Sequence, residues 1–306
     1  MSLQRRILNV GLMLCAKLPL TFARNPLWFR KVFEAIAPWL AKAPPFSLYL
    51  PTEFSGGRVL WISVSPGSHP PRSDKVILHI HGGAFIAGSP NTHKAMLARL
   101  SRLAGMRVFA PWYRLAPEHP FPAGLENVVA AFEALCQIGY APSDIVLGGD
   151  SAGGNLALSL LAHLCAEGRP PAAVYLFSPM TDMAFSGASF QENRKRDVLL
   201  PASRAGDVAD WYLAGEAPID PRVSPLYAQF NAPPPVLFQY SDSEILRDDS
   251  RRMAQVLRDA GGEVHEDIWE NLPHVWQWFD GHLPEARLGL QRVADFIKRV
   301  TPPLIE

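Results

Sequence analysis

The sequence predicts an α/β protein in which helices flank a mostly parallel central sheet and a helical cap covers part of it. Two observations predict this fold class. From residue 58 onward, short apolar runs of strand character alternate with segments of helical length. Strands that alternate with helices in this way form a mostly parallel sheet with both faces covered. The 306 residues, 48% of them hydrophobic, are enough for one large core and exclude a disordered chain.

The predicted strands are short apolar runs. Residues 59–64 alternate in the manner of a strand, and residues 75–80 form a buried strand that ends just before the glycine pair Gly82 and Gly83. Further strands are predicted over residues 107–111, 145–148, 172–177, 236–240 and 264–269. Helices are predicted over residues 92–103, 123–138, 153–166, 247–260 and 284–300.

Two segments fall outside this alternation and predict a cap. Residues 1–50 have helical character that is interrupted by prolines at positions 19, 26, 38, 44 and 45. Residues 185–230 contain a helical stretch between proline-rich joins. We expect both segments to pack together as a lid over the carboxyl ends of the strands, where open α/β sheets bind ligands. Residues 51–184 and 231–306 then form the domain that carries the sheet and its chemistry.

Composition excludes several classes of protein. The 29 basic and 29 acidic residues balance, so no overall field attracts nucleic acid. The three cysteines, Cys15, Cys136 and Cys165, are too few and too scattered for a disulfide framework or a thiolate zinc site, and they indicate a cytoplasmic protein. The apolar run over residues 7–14 is too short to span a bilayer. We expect an amphipathic surface or lid helix there rather than an export signal, without stable insertion into a membrane.

The strongest local pattern is Gly-x-Ser-x-Gly at residues 149–153, between a predicted strand and a predicted helix. This context is typical of a nucleophile elbow, a sharp turn that exposes the serine hydroxyl. The positions two residues before and two residues after the serine must then have almost no side chain, because the strand and the helix meet closely there. The pattern therefore predicts that Ser151 is a nucleophile.

A glycine-rich loop, His81-Gly82-Gly83-Ala84-Phe85, follows the predicted strand at residues 75–80. Acyl transfer creates a tetrahedral oxyanion that needs fixed hydrogen-bond donors in a dry site. In hydrolases with an elbow, backbone N–H groups of such a loop act beside the N–H of the residue after the serine, which is Ala152 here. The loop is therefore a candidate for part of an oxyanion hole.

A nucleophilic serine of this kind needs a histidine as its base and an acid to orient that histidine. In hydrolases with such an elbow, the three residues follow one another along the chain in the order serine, acid, histidine. Of the histidines after Ser151, His274 lies in a loop just after the last predicted strand, where a base can reach a serine on a central strand. His163 lies within the helix after the elbow, His265 within a strand, and His282 before the last helix. We therefore predict that His274 is the base.

The acid of the triad has two main candidates. Asp242 and Glu244 both lie in the loop that follows the predicted strand at residues 236–240. Asp182, at the end of an earlier strand, is a weaker candidate. A carboxylate just before a helix is usually a cap, and this applies to Asp242 and Glu244 alike. The pattern alone does not separate these two residues.

These motifs together resemble the hormone-sensitive-lipase-like esterases, the bacterial family IV type, of the α/β-hydrolase superfamily. The resemblance covers about residues 75–276 and includes the stretch Tyr-Arg-Leu-Ala-Pro-Glu-His-Pro-Phe-Pro-Ala at residues 113–123. It implies an α/β-hydrolase fold with the N–H groups of Gly82, Gly83 and Ala152 as the oxyanion hole. It also implies that residues 113–123 support the glycine-rich loop without taking part in the chemistry.

The resemblance also distinguishes the two acids. Residues 244–249 match the family's acid motif best, which places Glu244 at the acid position and leaves Asp242 as the alternative. The family usually has aspartate at this position, so glutamate is a departure. A second departure is Ala84, where many members have a third glycine.

We therefore expect a serine carboxylesterase that hydrolyses short- to medium-chain acyl esters through a triad of Ser151, Glu244 and His274. The alternatives are a related serine hydrolase acting on lactones or amides, and a non-catalytic ligand-binding member of the fold.

His79 and His81 have the spacing of a metal-binding pair, but no further cluster completes a site, and we expect no metal and no cofactor. By resemblance, the last strand and the last helix join two subunits into a homodimer, and an exposed edge strand is also a physical template for pairing.

Overall fold

An eight-stranded sheet forms the centre of the computed structural model, which describes residues 2–65 and 71–302. The strands are β1 (Ser47–Phe54), β2 (Gly57–Val64), β3 (Arg72–Ile80), β4 (Met106–Pro111), β5 (Ile145–Asp150), β6 (Ala173–Phe177), β7 (Val236–Ser241) and β8 (Val264–Trp269). Their order across the sheet is β1-β2-β4-β3-β5-β6-β7-β8. Strand β2 runs antiparallel to both of its neighbours, and the other neighbouring pairs are parallel. This topology confirms the predicted fold class.

Helices cover both faces of the sheet. They are α1 (Leu3–Leu12), α2 (Leu18–Phe22), α3 (Pro26–Leu40), α4 (Pro90–Ala104), α5 (Ala123–Gln137), α6 (Ser151–Ala166), α7 (Ser189–Glu192), α8 (Ala205–Leu213), α9 (Arg247–Asp259) and α10 (Pro284–Val300). A π-helical segment, Met13–Lys17, joins α1 to α2. Short 3₁₀ helices lie at Pro142–Asp144, Ala202–Arg204, Pro225–Tyr227 and Trp276–Phe279. Among the described residues, no helix has the length and apolar character needed to cross a membrane.

Each face of the sheet has its own apolar core. Helices α5, α6 and α9 pack on one face, together with Val76, Leu78 and Ile80 of β3. Helices α4 and α10 cover the other face, together with Ile77 of the same strand. The side chains of β3 therefore alternate between two buried layers, which explains why this strand appears in the sequence as a continuous apolar run.

The structure differs from the prediction at one edge of the sheet. Residues 47–50, which the sequence analysis assigned to the N-terminal cap helices, form the first half of β1. Strand β1 pairs antiparallel with β2, and its residues Leu48 and Leu50 are exposed. The strands were predicted from apolar runs that are typical of buried strands. Because β1 lies at the edge of the sheet and exposes its apolar residues, it was missed.

The prolines of the N-terminal segment interrupt its helices less than expected. Pro26 lies in the first turn of α3, where the backbone N–H has no intrahelical partner to lose. Pro19 lies in α2, which follows the π-helical segment directly, and the helical backbone continues through this proline to Phe22. Pro38 lies inside α3, which continues past it. Pro44 and Pro45 lie between α3 and β1, outside any helix.

The N-terminal helices contact both the inserted segment and Ile86, the residue that follows the glycine-rich loop. The Nζ atom of Lys17 donates a hydrogen bond to the carbonyl oxygen of Arg194, at 2.8 Å. The Nε atom of Arg30 donates to the carbonyl oxygen of Ile86, also at 2.8 Å. The first contact joins the two segments, residues 1–50 and 185–230, that are predicted to form the cap, and the cap stays a prediction.

Candidate active site

Ser151 lies at the sharp turn between β5 and α6. Its φ of 52° is left-handed, which is a strained conformation for a residue with a side chain. A Cβ atom on Gly149 would lie 2.4 Å from the carbonyl oxygen of Gly153, and one on Gly153 would lie 2.1 Å from that of Ile80. Both distances are far below contact, so the packing of this turn requires the glycines on either side of the serine.

The glycine-rich loop lies directly against this turn. A Cβ atom on Gly82 would lie 2.2 Å from the Oδ2 atom of Asp150, and Gly83 has a φ of 122°. The N–H groups of Gly82 and Gly83 donate to no acceptor within the described residues. The N–H of Ala152 lies in the first turn of α6, where backbone donors have no intrahelical partner. The three N–H groups that the resemblance assigns to an oxyanion hole are therefore available to bind an anionic oxygen.

Residues 113–123 hold this loop in place. The hydroxyl of Tyr113 donates to the carbonyl oxygen of His81 at 2.9 Å, and its ring stacks on the imidazole with the ring centroids 4.2 Å apart. The N–H of Ala116 donates to the carbonyl oxygen of Phe85 at 3.0 Å. The stretch thus supports the loop at both of its ends, which is the role that the resemblance implied.

Glu244 and His274 come together from loops that follow two neighbouring strands, β7 and β8. The Oε2 atom of Glu244 lies 2.7 Å from the Nδ1 atom of His274. The other oxygen, Oε1, accepts hydrogen bonds from the N–H of Ser241 at 2.7 Å and from the hydroxyl of Ser178 at 2.8 Å. Both side chains are almost fully buried, so the carboxylate is fixed in one orientation.

The surroundings of His274 prepare its ring to take up a proton. Burial lowers the pKa of His274, but the hydrogen bond and the charge of Glu244 outweigh this effect and raise the pKa above its usual value. The carboxylate at Nδ1 favours the tautomer whose proton is on that atom. The Nε2 atom is buried and has no hydrogen-bond partner within the described part of the chain. This nitrogen can therefore act as a base, although no hydrogen bond joins it to Ser151 in the described structure.

Asp242, the alternative acid, has different partners. Its Oδ1 atom accepts a hydrogen bond from the N–H of Asn271 at 2.7 Å, and its Oδ2 atom lies 2.9 Å from the guanidinium of Arg196. These contacts anchor the loop that carries His274. The structure therefore brings Glu244, and not Asp242, to the imidazole.

The remaining candidates are engaged elsewhere. His163 lies 3.3 Å from Glu167, His265 lies 2.7 Å from Glu263, and an ion pair joins Asp182 to Arg252. His282 is exposed on the surface. None of these side chains contacts Glu244 or His274 among the interactions of the described residues.

A buried polar network under the elbow was not recognised from the sequence. The carboxylate of Asp150 lies 3.1 Å from Nε2 of His79 and 3.2 Å from Nε2 of His93, and Nδ1 of His79 lies 2.8 Å from the hydroxyl of Tyr175. Burial lowers the pKa of His93, but the charge and hydrogen bond of Asp150 outweigh it, so the pKa is raised. His79 and His81, considered above as a metal-binding pair, have separate partners. His79 belongs to this network, whereas the Nδ1 atom of His81 lies 2.8 Å from the carbonyl oxygen of Gly82.

A second buried acid, Asp197, lies close to the Glu244 loop. Its Oδ2 atom accepts a hydrogen bond from the N–H of Ile245 at 3.0 Å, next to the candidate acid. Burial and the charge of Glu244 raise the pKa of Asp197. Asp197 belongs to the inserted segment, and nothing in the local sequence indicates that it reaches this loop.

Known proteins share this fold and these motifs. Residues 77–278 match a family model described as an alpha/beta hydrolase fold. An acetyl-hydrolase of Streptomyces hygroscopicus is 38% identical over 234 residues, which cover 76% of this chain and 78% of that protein. Among solved structures, an esterase from the bacterial hormone-sensitive lipase family has a TM-score of 0.90 at 36% identity, covering 98% of each chain. The structure of EstE5, from a crystal soaked with p-nitrophenyl butyrate, has a TM-score of 0.91 at 32% identity, covering 98% of this chain and 99% of that one. The chain therefore belongs to the α/β-hydrolase family, and within it to the bacterial hormone-sensitive-lipase type that the sequence resembles.

Proposed function

We propose that this protein is a serine carboxylesterase that hydrolyses short- to medium-chain acyl esters, with Ser151, His274 and Glu244 as its catalytic triad. The observation that carries the proposal is the buried His274–Glu244 pair at 2.7 Å, whose Nε2 atom is left without a partner. A serine in a strained turn, a histidine and a buried acid are the three groups that acyl transfer needs.

The chemistry follows from these positions. His274 takes the proton of Ser151 through Nε2 while Oγ attacks the ester carbonyl, and Glu244 stabilises the imidazolium that forms. The negative charge on the carbonyl oxygen is bound by the N–H groups of Gly82, Gly83 and Ala152. His274 then gives its proton to the leaving alcohol, and water, activated by the same imidazole, hydrolyses the acyl-enzyme. The Ser151–His274 hydrogen bond forms with substrate in place, since such bonds are often long in the free enzyme.

An aromatic contact joins the cap to the glycine-rich loop. Phe85 of the glycine-rich loop stacks on Tyr212 of α8, with ring centroids 3.7 Å apart. The carbonyl oxygen of Tyr212 also accepts a hydrogen bond from the N–H of Phe121 at 2.8 Å. We infer that an aromatic pair held in this way restricts the space for the acyl group, which favours short to medium acyl groups. The acetyl-hydrolase relative and the p-nitrophenyl butyrate used with EstE5 support the same range.

We also propose that the protein is cytoplasmic and forms a homodimer. The three cysteines are unpaired, as expected of a reducing compartment. Strand β8 lies at the edge of the sheet and, among the described strands, pairs with β7 alone; its Ile268 is 56% exposed. An open edge of this kind is a template for a second strand. Light scattering that gives the mass of a single chain, 33.8 kDa, would rule out the dimer.

The experiment that tests the esterase proposal compares wild type with Ser151→Ala on p-nitrophenyl esters from acetate to palmitate. We expect hydrolysis to peak at short or medium chains and kcat to fall by about 10⁴-fold in the variant. Ser159→Ala is the matched control, because Ser159 lies on the same helix and donates to the carbonyl oxygen of Arg222. A folded Ser151→Ala protein with full activity contradicts the mechanism. If neither protein hydrolyses any ester, labelling of Ser151 by a phosphonate distinguishes another serine hydrolase from a non-catalytic binder.

A further inference from the structure

Exposed apolar side chains are concentrated in the N-terminal helices. More than half of the large hydrophobic residues that are exposed among the described residues lie before residue 37. Soluble proteins rarely expose large contiguous apolar patches, and such patches mark contacts with proteins or with membranes. The N-terminal helices therefore present a candidate docking surface.

On α1 and the π-helical segment, these side chains share one face. Leu3, Ile7, Val10 and Leu14 follow one another at intervals of four, three and four residues, and they are between 59% and 70% exposed. This spacing places them along one side of a helix. Leu12, on the other side, packs against the core of the protein. The helix is thus held by one face and leaves an apolar face uncovered.

The exposed face continues through the connection to α3. Leu18 and Phe22 of α2 are 52% and 74% exposed, and Leu27 and Trp28 at the start of α3 are 41% and 53% exposed. Tryptophan is favoured at the boundary between bilayer and water, because its ring is apolar and its N–H is polar. We refer to these exposed side chains, from Leu3 to Trp28, as the N-terminal surface.

The same segment is strongly basic. Residues 1–42 contain seven Lys or Arg residues and one acidic residue, whereas the chain as a whole is neutral. Arg6, Arg24, Lys31 and Lys42 are exposed and form no ion pair within residues 2–65 and 71–302. Arg6 and Arg24 lie within the span of the N-terminal surface, and Lys31 and Lys42 follow it along the chain. An apolar helical face with unpaired basic groups in the same segment is complementary to an anionic lipid surface.

We propose that the N-terminal surface docks on an anionic lipid bilayer, with its apolar side chains at the level of the headgroups and its basic side chains on the lipid phosphates. A second copy of this chain fits the surface less well, because a symmetric contact brings the same unpaired basic groups together. Docking is peripheral, since no helix of the described residues is long and apolar enough to cross the bilayer. The proposal concerns association and not catalysis, so its outcome is independent of the proposed function.

Vesicle binding tests this directly. Wild type is mixed with vesicles of phosphatidylcholine alone or of phosphatidylcholine and phosphatidylglycerol in equal amounts, and the bound fraction is measured by flotation. We expect binding to the anionic vesicles that weakens as salt is raised, with each basic residue contributing about fivefold in affinity. The variant Ile7→Asp with Leu14→Asp should bind at least about tenfold more weakly, because two apolar groups no longer enter the interface.

The matched control is Ile138→Asp with Ile219→Asp, since these isoleucines are 61% and 60% exposed outside the N-terminal segment. It should bind as wild type does, and circular dichroism shows whether every variant is folded. The proposal is overturned if wild type does not bind anionic vesicles, or if the Ile7 and Leu14 variant binds as well as the control. It is also overturned if light scattering shows a dimer that this variant alone abolishes, because the occupant is then a second copy.

Discussion

The elbow around Ser151 and the N-terminal helices differ in how narrowly each position is constrained. A Cβ atom on Gly153 would lie 2.1 Å from a backbone oxygen, whereas one on Gly11 of α1 would meet nothing within 4 Å. The polar groups under the elbow bond to one another, while the N-terminal helices expose a row of apolar side chains. The elbow is enclosed by the sheet, by α6 and by the glycine-rich loop, but the N-terminal helices have neighbours on one side only. Acyl transfer needs such fixed geometry, and a covering segment does not.

The largest expected effect is on the carboxylate that completes the constrained centre. We expect Glu244→Gln to lower kcat by about 10⁴-fold, because the amide cannot stabilise the imidazolium of His274. Asp242→Asn is the matched control, two residues away, and should lower kcat by less than about tenfold, since Asp242 anchors the loop only. Steady-state kinetics on p-nitrophenyl butyrate measures both. A larger loss in Asp242→Asn would falsify the assignment of the acid.

The next prediction concerns an added Cβ atom at the elbow and its effect on stability. Gly153→Ala places a Cβ atom against the carbonyl oxygens of Ile80 and His81, at 2.1 and 2.4 Å. The β3 backbone cannot move away without breaking its pairing with β5, so we expect a loss of more than about 4 kcal/mol in the free energy of unfolding, or no folded protein. Urea unfolding measures it. A change below about 1 kcal/mol would show that the elbow is no more constrained than the N-terminal helices.

The third prediction concerns the charge below the elbow. Asp150→Asn removes the carboxylate that raises the pKa of His93 above 6.5, and breaking a buried pair of this kind costs about 3 kcal/mol. The raised pKa contributes stability that is fully present below pH 6.5 and is lost as the pH rises through the folded-state pKa. The stability difference between wild type and Asp150→Asn should therefore shrink as the pH rises from about 6.5 through the raised pKa of His93. Urea unfolding across this range is the measurement, and a constant difference argues against a charged His93.

The smallest expected effect is on the free energy of unfolding and comes from a substitution in the N-terminal helices. Gly11→Ala adds a methyl group inside α1 where nothing lies within 4 Å, so it should raise the free energy of unfolding by about 0.5–1 kcal/mol through helix propensity and a less flexible unfolded chain. If this segment unfolds separately from the sheet, the gain appears in the protection of α1 amides from hydrogen exchange rather than in global unfolding. Destabilisation by Gly11→Ala is the result that would remove the contrast between the two regions.

Much of the fold and of the site could be predicted because the patterns are local. The elbow needs glycines two residues either side of Ser151, and the buried strands need continuous apolar runs, so both are visible within a few residues of sequence. The edge strand β1 could not be found in this way, since Leu48 and Leu50 are exposed and the strand is defined by its pairing with β2.

The sequence by itself determined the fold class, the position of the serine, the glycine-rich loop and the chain order of the later groups. Only the tertiary structure decided which carboxylate meets His274, because Asp242 and Glu244 lie in one short loop and the path of that loop directs them to different partners. It also decided that Asp150 meets His79 and His93, and that Asp197 supports the Glu244 loop. Local sterics depend on neighbours along the chain. These contacts instead join residues that are 29 or more positions apart, and they depend on how the whole sheet is assembled.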